Sequence, residues 1–248
     1  MSDSLNKKDD SEKYNAAYWK VYWNDEGNVC TGDPQKDVCR TFNEVTVSKK
    51  QWDYTVDYIA KLTKLNKDDA LVELCCGNAL LLGPLSKRCN QGVGVDFSQQ
   101  LIRQAGELFP GEFKTICSDV LSVELPANST DVVLVYFSIQ HFDQKNAISL
   151  IEKAITLLKP GGRLLVGDIP DKRKLWQYLN KIEYRIDYIQ RILASRPMIG
   201  TWFEYEFFEA IGEYLGNVDV RVIQQPDVLI NSAIRYDVLY TKNLLIVS

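Results

Sequence analysis

A single histidine in 248 residues leaves no Cys/His zinc site of the usual kind, and the six cysteines contain no CxxC pair to build one without it. Cys30, Cys39, Cys75, Cys76, Cys89 and Cys117 instead read as reduced core or loop residues, so no metal is expected. No apolar run approaches the roughly 18 residues that a membrane helix requires, and the N-terminus is polar with no apolar signal segment. A surplus of positive charge is missing too. Basic residues number 29 against 33 acidic, well mixed, for a net charge of −4, which argues against a nucleic-acid partner. The densest basic run, Lys172-Arg173-Lys174, suits a solvated helix start. Together these absences give the expectation of a cytoplasmic protein with no membrane insertion, and they leave its oligomeric state open.

What is present is enough for a sizeable core, at 46% hydrophobic content. Residues 1–12 are polar and are expected to be a disordered tail. In Tyr14–Trp23 the residues Tyr14, Tyr18 and Tyr22 recur at helical spacing, with Trp19 and Trp23 beside them; this face either packs on the core or forms an aromatic lid. Asn24 to about Val47 reads as loop, and a helix capped by Ser48 runs to about Leu65. Residues 13–69 thus form an N-terminal helical cap or lid, with the core domain at 70–248.

From Ala70 the pattern alternates strand and helix. Strands are expected at Ala70–Leu74, Gly92–Asp96, Phe113–Cys117, Asp131–Tyr136 and Arg163–Asp168, with helices at Leu80–Cys89, from Ser98 to about Leu108, and Gln144–Leu158. The alternation predicts a Rossmann-like α/β fold whose ligands bind at the carboxyl ends of the strands. A long helix from Lys172 to about Ala194 lies within an inserted segment, about 171–200. A helix at Glu204–Leu215 and strands at Asp219–Gln224 and Tyr236–Val247 then suggest an edge hairpin.

Three acids, Glu73, Asp96 and Asp119, stand at or just past the ends of successive strands. Asp96 follows the first turn by about 20 residues, the interval at which an acid grips ribose hydroxyls. Each such hydrogen bond to a carboxylate contributes on the order of 1.5 to 3 kcal/mol. The turn itself offers only Gly77, flanked by Cys75, Cys76 and Ala79, so it makes a poor cradle for a pyrophosphate. A ribose-bearing amino acid fits better.

The segments Glu73-Leu74-Cys75-Cys76-Gly77-Asn78-Ala79, Val93-Gly94-Val95-Asp96-Phe97-Ser98, Ser118-Asp119-Val120 and Leu158-Lys159-Pro160-Gly161-Gly162-Arg163-Leu164 resemble the successive motifs of the class I S-adenosylmethionine-dependent methyltransferases. The resemblance covers about Ala70 to Asp168. The tail, including Gly200–Phe203 and Asn231–Leu239, is similar to a subset associated with sugar and other small-molecule pathways. The resemblance implies a seven-stranded, mostly parallel sheet with a C-terminal antiparallel strand and helices on both faces. S-adenosylmethionine is the cofactor it implies. Glu73, Cys75, Gly77 and Asn78 would cradle the methionine part, Asp96 the ribose, Phe97 the adenine face, and Asp119 and the Val120 N–H the adenine edge, with Tyr136 completing the set. Cys75 and Ala79 depart from the family's common glycines and would add bulk beside the cofactor.

The expected activity is O- or N-methylation of a small-molecule acceptor by in-line displacement. Candidates for a general base are His141 and Asp168, each with a structural role as the alternative. Tyr18, Tyr22 and Trp202 are candidates for the acceptor pocket, and Arg40 for pairing with the cofactor carboxylate. An NAD-dependent oxidoreductase and a non-catalytic methyltransferase-like interaction module are the other readings.

Overall fold

A computed structural model describes residues 18–42, 45–194 and 200–244; the expected tail at 1–12 and Tyr14 lie outside them. The elements in chain order are α1 (residues 18–24), α2 (Glu26–Val29), α3 (Pro34–Asp37), β1 (Thr41–Phe42), β2 (Val45–Thr46), α4 (Lys49–Leu62), β3 (Ala70–Leu74) and α5 (Leu82–Ser86). There follow β4 (Gln91–Asp96), α6 (Gln99–Leu108), β5 (Lys114–Cys117), β6 (Thr130–Tyr136), α7 (Gln144–Leu157) and β7 (Leu158–Pro170). The chain closes with α8 (Leu175–Tyr178), α9 (Ile182–Leu193), α10 (Tyr205–Leu215), β8 (Val218–Gln224) and β9 (Arg235–Lys242).

Seven strands form one sheet in the order β5-β4-β3-β6-β7-β9-β8. Strands β5 through β7 pair in parallel, and β9 is antiparallel to both β7 and β8. The seven-stranded sheet and the late hairpin are as the sequence predicts. The order reverses between β3 and β6, the switch point at which such sheets open a crevice.

The central strands alternate their side chains between two buried clusters. Leu71, Val132, Leu134 and Leu165 face Val56 and Ile59 of α4, Leu82 and Leu85 of α5, and Ala105 of α6. Val72, Leu74, Val133, Val135, Leu164 and Val166 face Leu150, Ile151 and Ala154 of α7 and Phe208 and Ile211 of α10. Strands buried on both faces read as continuous apolar runs for this reason. Helix α4 is therefore one layer of the core as well as part of the N-terminal region.

Ser48 caps α4 by accepting from the Gln51 N–H, and Ser98 caps α6 by accepting from the Leu101 N–H, both where the sequence places them. Two helices differ from expectation. The one expected at Leu80–Cys89 is shorter, spanning Leu82–Ser86 after the left-handed Ala79 (φ 62°). The one expected from Lys172 to Ala194 is broken: a 3₁₀ turn at Lys172–Lys174 leads into α8, Leu179 turns inward and is fully buried, and the chain restarts as α9. The Leu179 carbonyl accepts from Arg185 Nε at 2.8 Å, which seals the break. No helix among the described residues is long and apolar enough to cross a membrane.

Near the end of β7, a Cβ on Gly167 would lie 2.0 Å from the Tyr136 ring, so the two strands meet there only because no side chain intervenes. We expect Gly167→Ala to destabilise the fold by about 1 to 3 kcal/mol through overpacking, read as a lower urea midpoint. An unchanged midpoint would contradict this packing.

Candidate functional site

Strand β3 ends in a turn that carries three left-handed residues, Cys75 (φ 62°), Gly77 (φ 54°) and Ala79 (φ 62°). The Cys76 N–H donates to the Val95 carbonyl at 3.0 Å, and the Gly77 N–H donates to Asp96 Oδ2 at 2.9 Å. The other oxygen of Asp96 accepts from the Ser98 N–H at 2.9 Å. One buried carboxylate thus fastens the ends of β3 and β4 together. The Cys76 side chain packs over Gly94, where a Cβ would come 2.8 Å from its sulfur. Burial pushes both the Cys75 and Cys76 thiols well above the usual range, and Asp96 adds to it. All six cysteines are free.

A cavity of about 270 Å³ opens over this turn. Its walls include Glu73, Cys75, Gly77, Asn78, Asp96, Phe97, Asp119, Val120, Tyr136 and His141, so these predicted residues converge. Ala79 is absent from the walls; its side chain is buried in the sheet cluster with Leu71 and Leu82, and so adds no bulk beside the cavity. Trp19, Lys20, Trp23, Val38, Arg40 and Trp52 close the cavity from the N-terminal side. Trp52 packs against the core cluster of α4 and the sheet and also reaches the cavity, its ring stacking on Phe137 at 6.1 Å while its Nε1 donates to the Leu80 carbonyl. Lys20 pairs with Asp119 at 2.8 Å, a contact between elements that no local sequence pattern signals.

Four predicted residues are not among the cavity walls. The Asp168 N–H donates to Asp237 Oδ1 at 2.8 Å, while Arg235 Nη1 donates to the Asp168 carbonyl at 2.9 Å and lies 3.7 Å from its carboxylate. Asp168 is thus enclosed in a buried charge cluster. Tyr22 places its hydroxyl 3.5 Å from Cys39 Sγ and stacks with Tyr18. Trp202 packs against Tyr178.

Asp237 itself is fully buried in β9. It accepts from Tyr58 Oη at 2.8 Å, Gln225 Nε2 at 2.8 Å and the Asp168 N–H, with Tyr136 Oη at 3.5 Å. Burial pushes it up to about 6, against the pull of those hydrogen bonds.

The charges around the cavity are poised unevenly. Burial pushes Glu73 up to about 8, although the Leu82 N–H and Arg40 pull the other way. Its Oε2 is buried with no hydrogen-bond partner among the described residues. Burial also drives His141 down to about 3, helped by Arg40 and Arg235, and its ring lies 4.1 Å from Trp19. The imidazole is therefore neutral at physiological pH, with Nδ1 unpartnered among the described residues. Burial raises Asp119, but the Lys20 hydrogen bond and the Leu121 N–H outweigh it and the net shift is downward. Arg40 lies 3.9 Å over the Phe137 ring and donates to the Phe137 carbonyl at 3.1 Å.

Residues 71–162 match the model of a methyltransferase domain. Over that segment, less than half of the chain, the sequence is similar to methyltransferase domains. It is 33% identical over 99 residues to an uncharacterised methyltransferase of Schizosaccharomyces pombe, covering 35% of this chain and 36% of that one. It is 32% identical over 77 residues to the phosphoethanolamine N-methyltransferase of Plasmodium falciparum, covering 30% of this chain and 29% of that one. The match thus spans about a third of these relatives' length. The magnesium protoporphyrin IX methyltransferase of Synechocystis PCC 6803, solved with bound S-adenosylhomocysteine, superposes with a TM-score of 0.63 at 14% identity, over 92% of this chain and 100% of that one. Phosphoethanolamine N-methyltransferase 1 of Haemonchus contortus, in complex with phosphoethanolamine and S-adenosylhomocysteine, reaches 0.69 at 10% identity, over 96% of this chain and 51% of that one.

The matched segment thus contributes an unpartnered buried carboxylate oxygen, Glu73 Oε2, to a cavity floored by a left-handed turn. An acid whose folded pKa lies near 8 rather than its ordinary 4.5 lends stability below pH 4.5 and loses it as pH rises through 8. His141 acts oppositely, since its depressed pKa makes stability rise with pH between about 3 and 6.5. Above pH 6.5 only the Glu73 effect of this pair remains. Glu73→Gln should therefore gain stability relative to the parent protein as pH rises from 6.5 to 8.5, by denaturant unfolding; a constant difference would contradict the raised pKa.

Proposed function

We propose that the protein binds S-adenosylmethionine in this cavity and transfers its methyl group to a small-molecule acceptor at oxygen or nitrogen. The observation that carries the reading is the convergence of Glu73, Asp96 and Asp119, from three strand ends, on one cavity with Glu73 Oε2 left unpartnered. An ammonium group is the partner that such an oxygen lacks. Asp96 spends one lone pair of each oxygen on backbone N–H groups and keeps the others for a pair of hydroxyls. Phe97 and Val120 flank a flat ring, and Arg40 offers a cation to a carboxylate. Asp119 serves the adenine edge only by exchanging Lys20 for it.

Bound S-adenosylmethionine supplies a methyl group on a sulfonium, a leaving group that is already activated. The chain's task is then alignment, which supplies roughly 7 to 11 kcal/mol in well-oriented reactions. His141 orients the acceptor by accepting a hydrogen bond at Nδ1, since its low pKa makes it a poor store for a proton. Asp168 supports the wall from behind by engaging Arg235. Residues 13–69 contribute a lid over the cofactor, and 171–200 a helical segment on the acceptor side. The two phosphoethanolamine N-methyltransferases among the matches support nitrogen as one acceptor atom. Free thiols throughout suit the reducing conditions of a cytoplasm.

Calorimetric titration tests the reading. S-adenosylmethionine and S-adenosylhomocysteine should bind and NAD should not, with radiolabelled methyl then passing to a member of an amine and alcohol panel. Asp96→Asn should weaken cofactor binding about 10- to 100-fold, the value of one hydrogen bond to a charged group. Binding of NAD alone would favour the oxidoreductase, and binding of no cofactor the interaction module. Because Glu73 titrates near 8, capture of an ammonium at pH 7 should also release a proton. The binding enthalpy should then vary with the ionisation enthalpy of the buffer, and Glu73→Gln should abolish that variation. A buffer-independent enthalpy in the parent protein would contradict this pairing.

A further inference from the structure

We propose that the α8–α9 segment docks the protein on an anionic lipid bilayer. Ile182, Ile186, Ile189 and Leu193 recur at i, i+4, i+7 and i+11 and form one stripe along α9, with exposures of 69%, 52%, 49% and 82%. No residue of α9 is buried. Its less exposed positions are Asp187, Tyr188 and Arg191, a polar side held by the Arg191–Asp187 ion pair at 2.7 Å and by Tyr188 against Trp176. The helix thus differs from one that packs an apolar stripe on its own core: its aliphatic stripe faces outward. On α8, Trp176 is 55% exposed and adds an aromatic side chain of the kind that settles at headgroup level.

Charge selects the occupant. Residues 172–193 hold six basic side chains and two acidic ones, in a chain whose net charge is −4. Among the described residues no carboxylate lies within ion-pair distance of Lys174, Lys181 or Arg185. Lys181 and Arg185 each precede a stripe residue by one position and so flank the stripe on the same side. A second copy would bring this positive segment against its own like, whereas anionic headgroups complement it while acyl chains take the isoleucines. Among the described residues nothing covers the stripe. Residues 1–13 carry only Met1 and Leu5 as apolar side chains, and β9 runs antiparallel, away from the strand end that leads to α8. That strand end, Pro170, lies at the side of the sheet where the cavity opens.

Co-sedimentation of the full chain with vesicles tests the proposal. The protein should bind phosphatidylcholine vesicles containing roughly a third phosphatidylserine, and bind at least about tenfold less to pure phosphatidylcholine or in about 1 M salt. The double variant Ile186→Glu with Ile189→Glu should lose about tenfold or more on the anionic vesicles. Its melting temperature should not change, because both side chains are exposed, and Lys181→Glu, at an exposed position, should weaken binding likewise. Absence of binding by the parent protein, or equal binding by both variants, would overturn the proposal. So would a dimer in sedimentation velocity that the isoleucine variant dissociates without any lipid binding, since the occupant would then be a second copy.

Discussion

The structure hangs on one fully buried carboxylate. Asp237 draws Tyr58 from α4, Gln225 from the turn after β8, the Asp168 N–H from β7 and the Tyr136 hydroxyl from the cavity wall to a single point. A buried charge is tolerated only when its lone pairs are taken up, and here three donors at 2.8 Å take them. The consequence is geometric: the N-terminal helix layer, the antiparallel edge and the Tyr136 wall of the cavity are fixed relative to one another. The Arg235–Asp168 pair lies beside this point and completes a cluster in which no charge stands alone.

At the other end of the cavity, Asp96 does the same work with backbone donors. It holds the turn after β3 against the start of α6, and the cofactor-side wall takes its shape from that link. The two carboxylates differ in what they leave free. Asp237 is saturated by the protein, whereas Asp96 retains acceptor capacity toward the cavity. The first is structural and the second suits recognition, although both are buried acids at strand positions.

The sheet was legible because its strands are buried on both faces, so Leu71–Leu74 and Val132–Val135 stand out as apolar runs between turn residues. The strand-end acids were legible because the alternation of strand and helix sends every strand's end to one side. Interactions between distant segments were not. Nothing around Lys20 points to Asp119, and nothing around Trp52 points to Phe137, because these pairs depend on how the N-terminal helices lie across the sheet. The unbroken helix expected from Lys172 failed for a related reason: Leu179 fits a helical pattern locally, and only the core it enters makes the chain turn. Asp168 carries the opposite lesson, since its place at a strand end matches that of a site residue while Arg235, far along the chain, claims its charge.

The left-handed turn has a consequence for ordering. Cys75 and Ala79 hold positive φ without being glycine, a conformation disfavoured by roughly 1 to 2 kcal/mol per residue. A glycine in either place would relieve that strain but would also bring greater freedom to the unfolded chain and to an opened loop. With side chains on both residues, the loop has fewer shapes to sample. A ligand entering the cavity meets a cradle whose conformational entropy was already surrendered during folding.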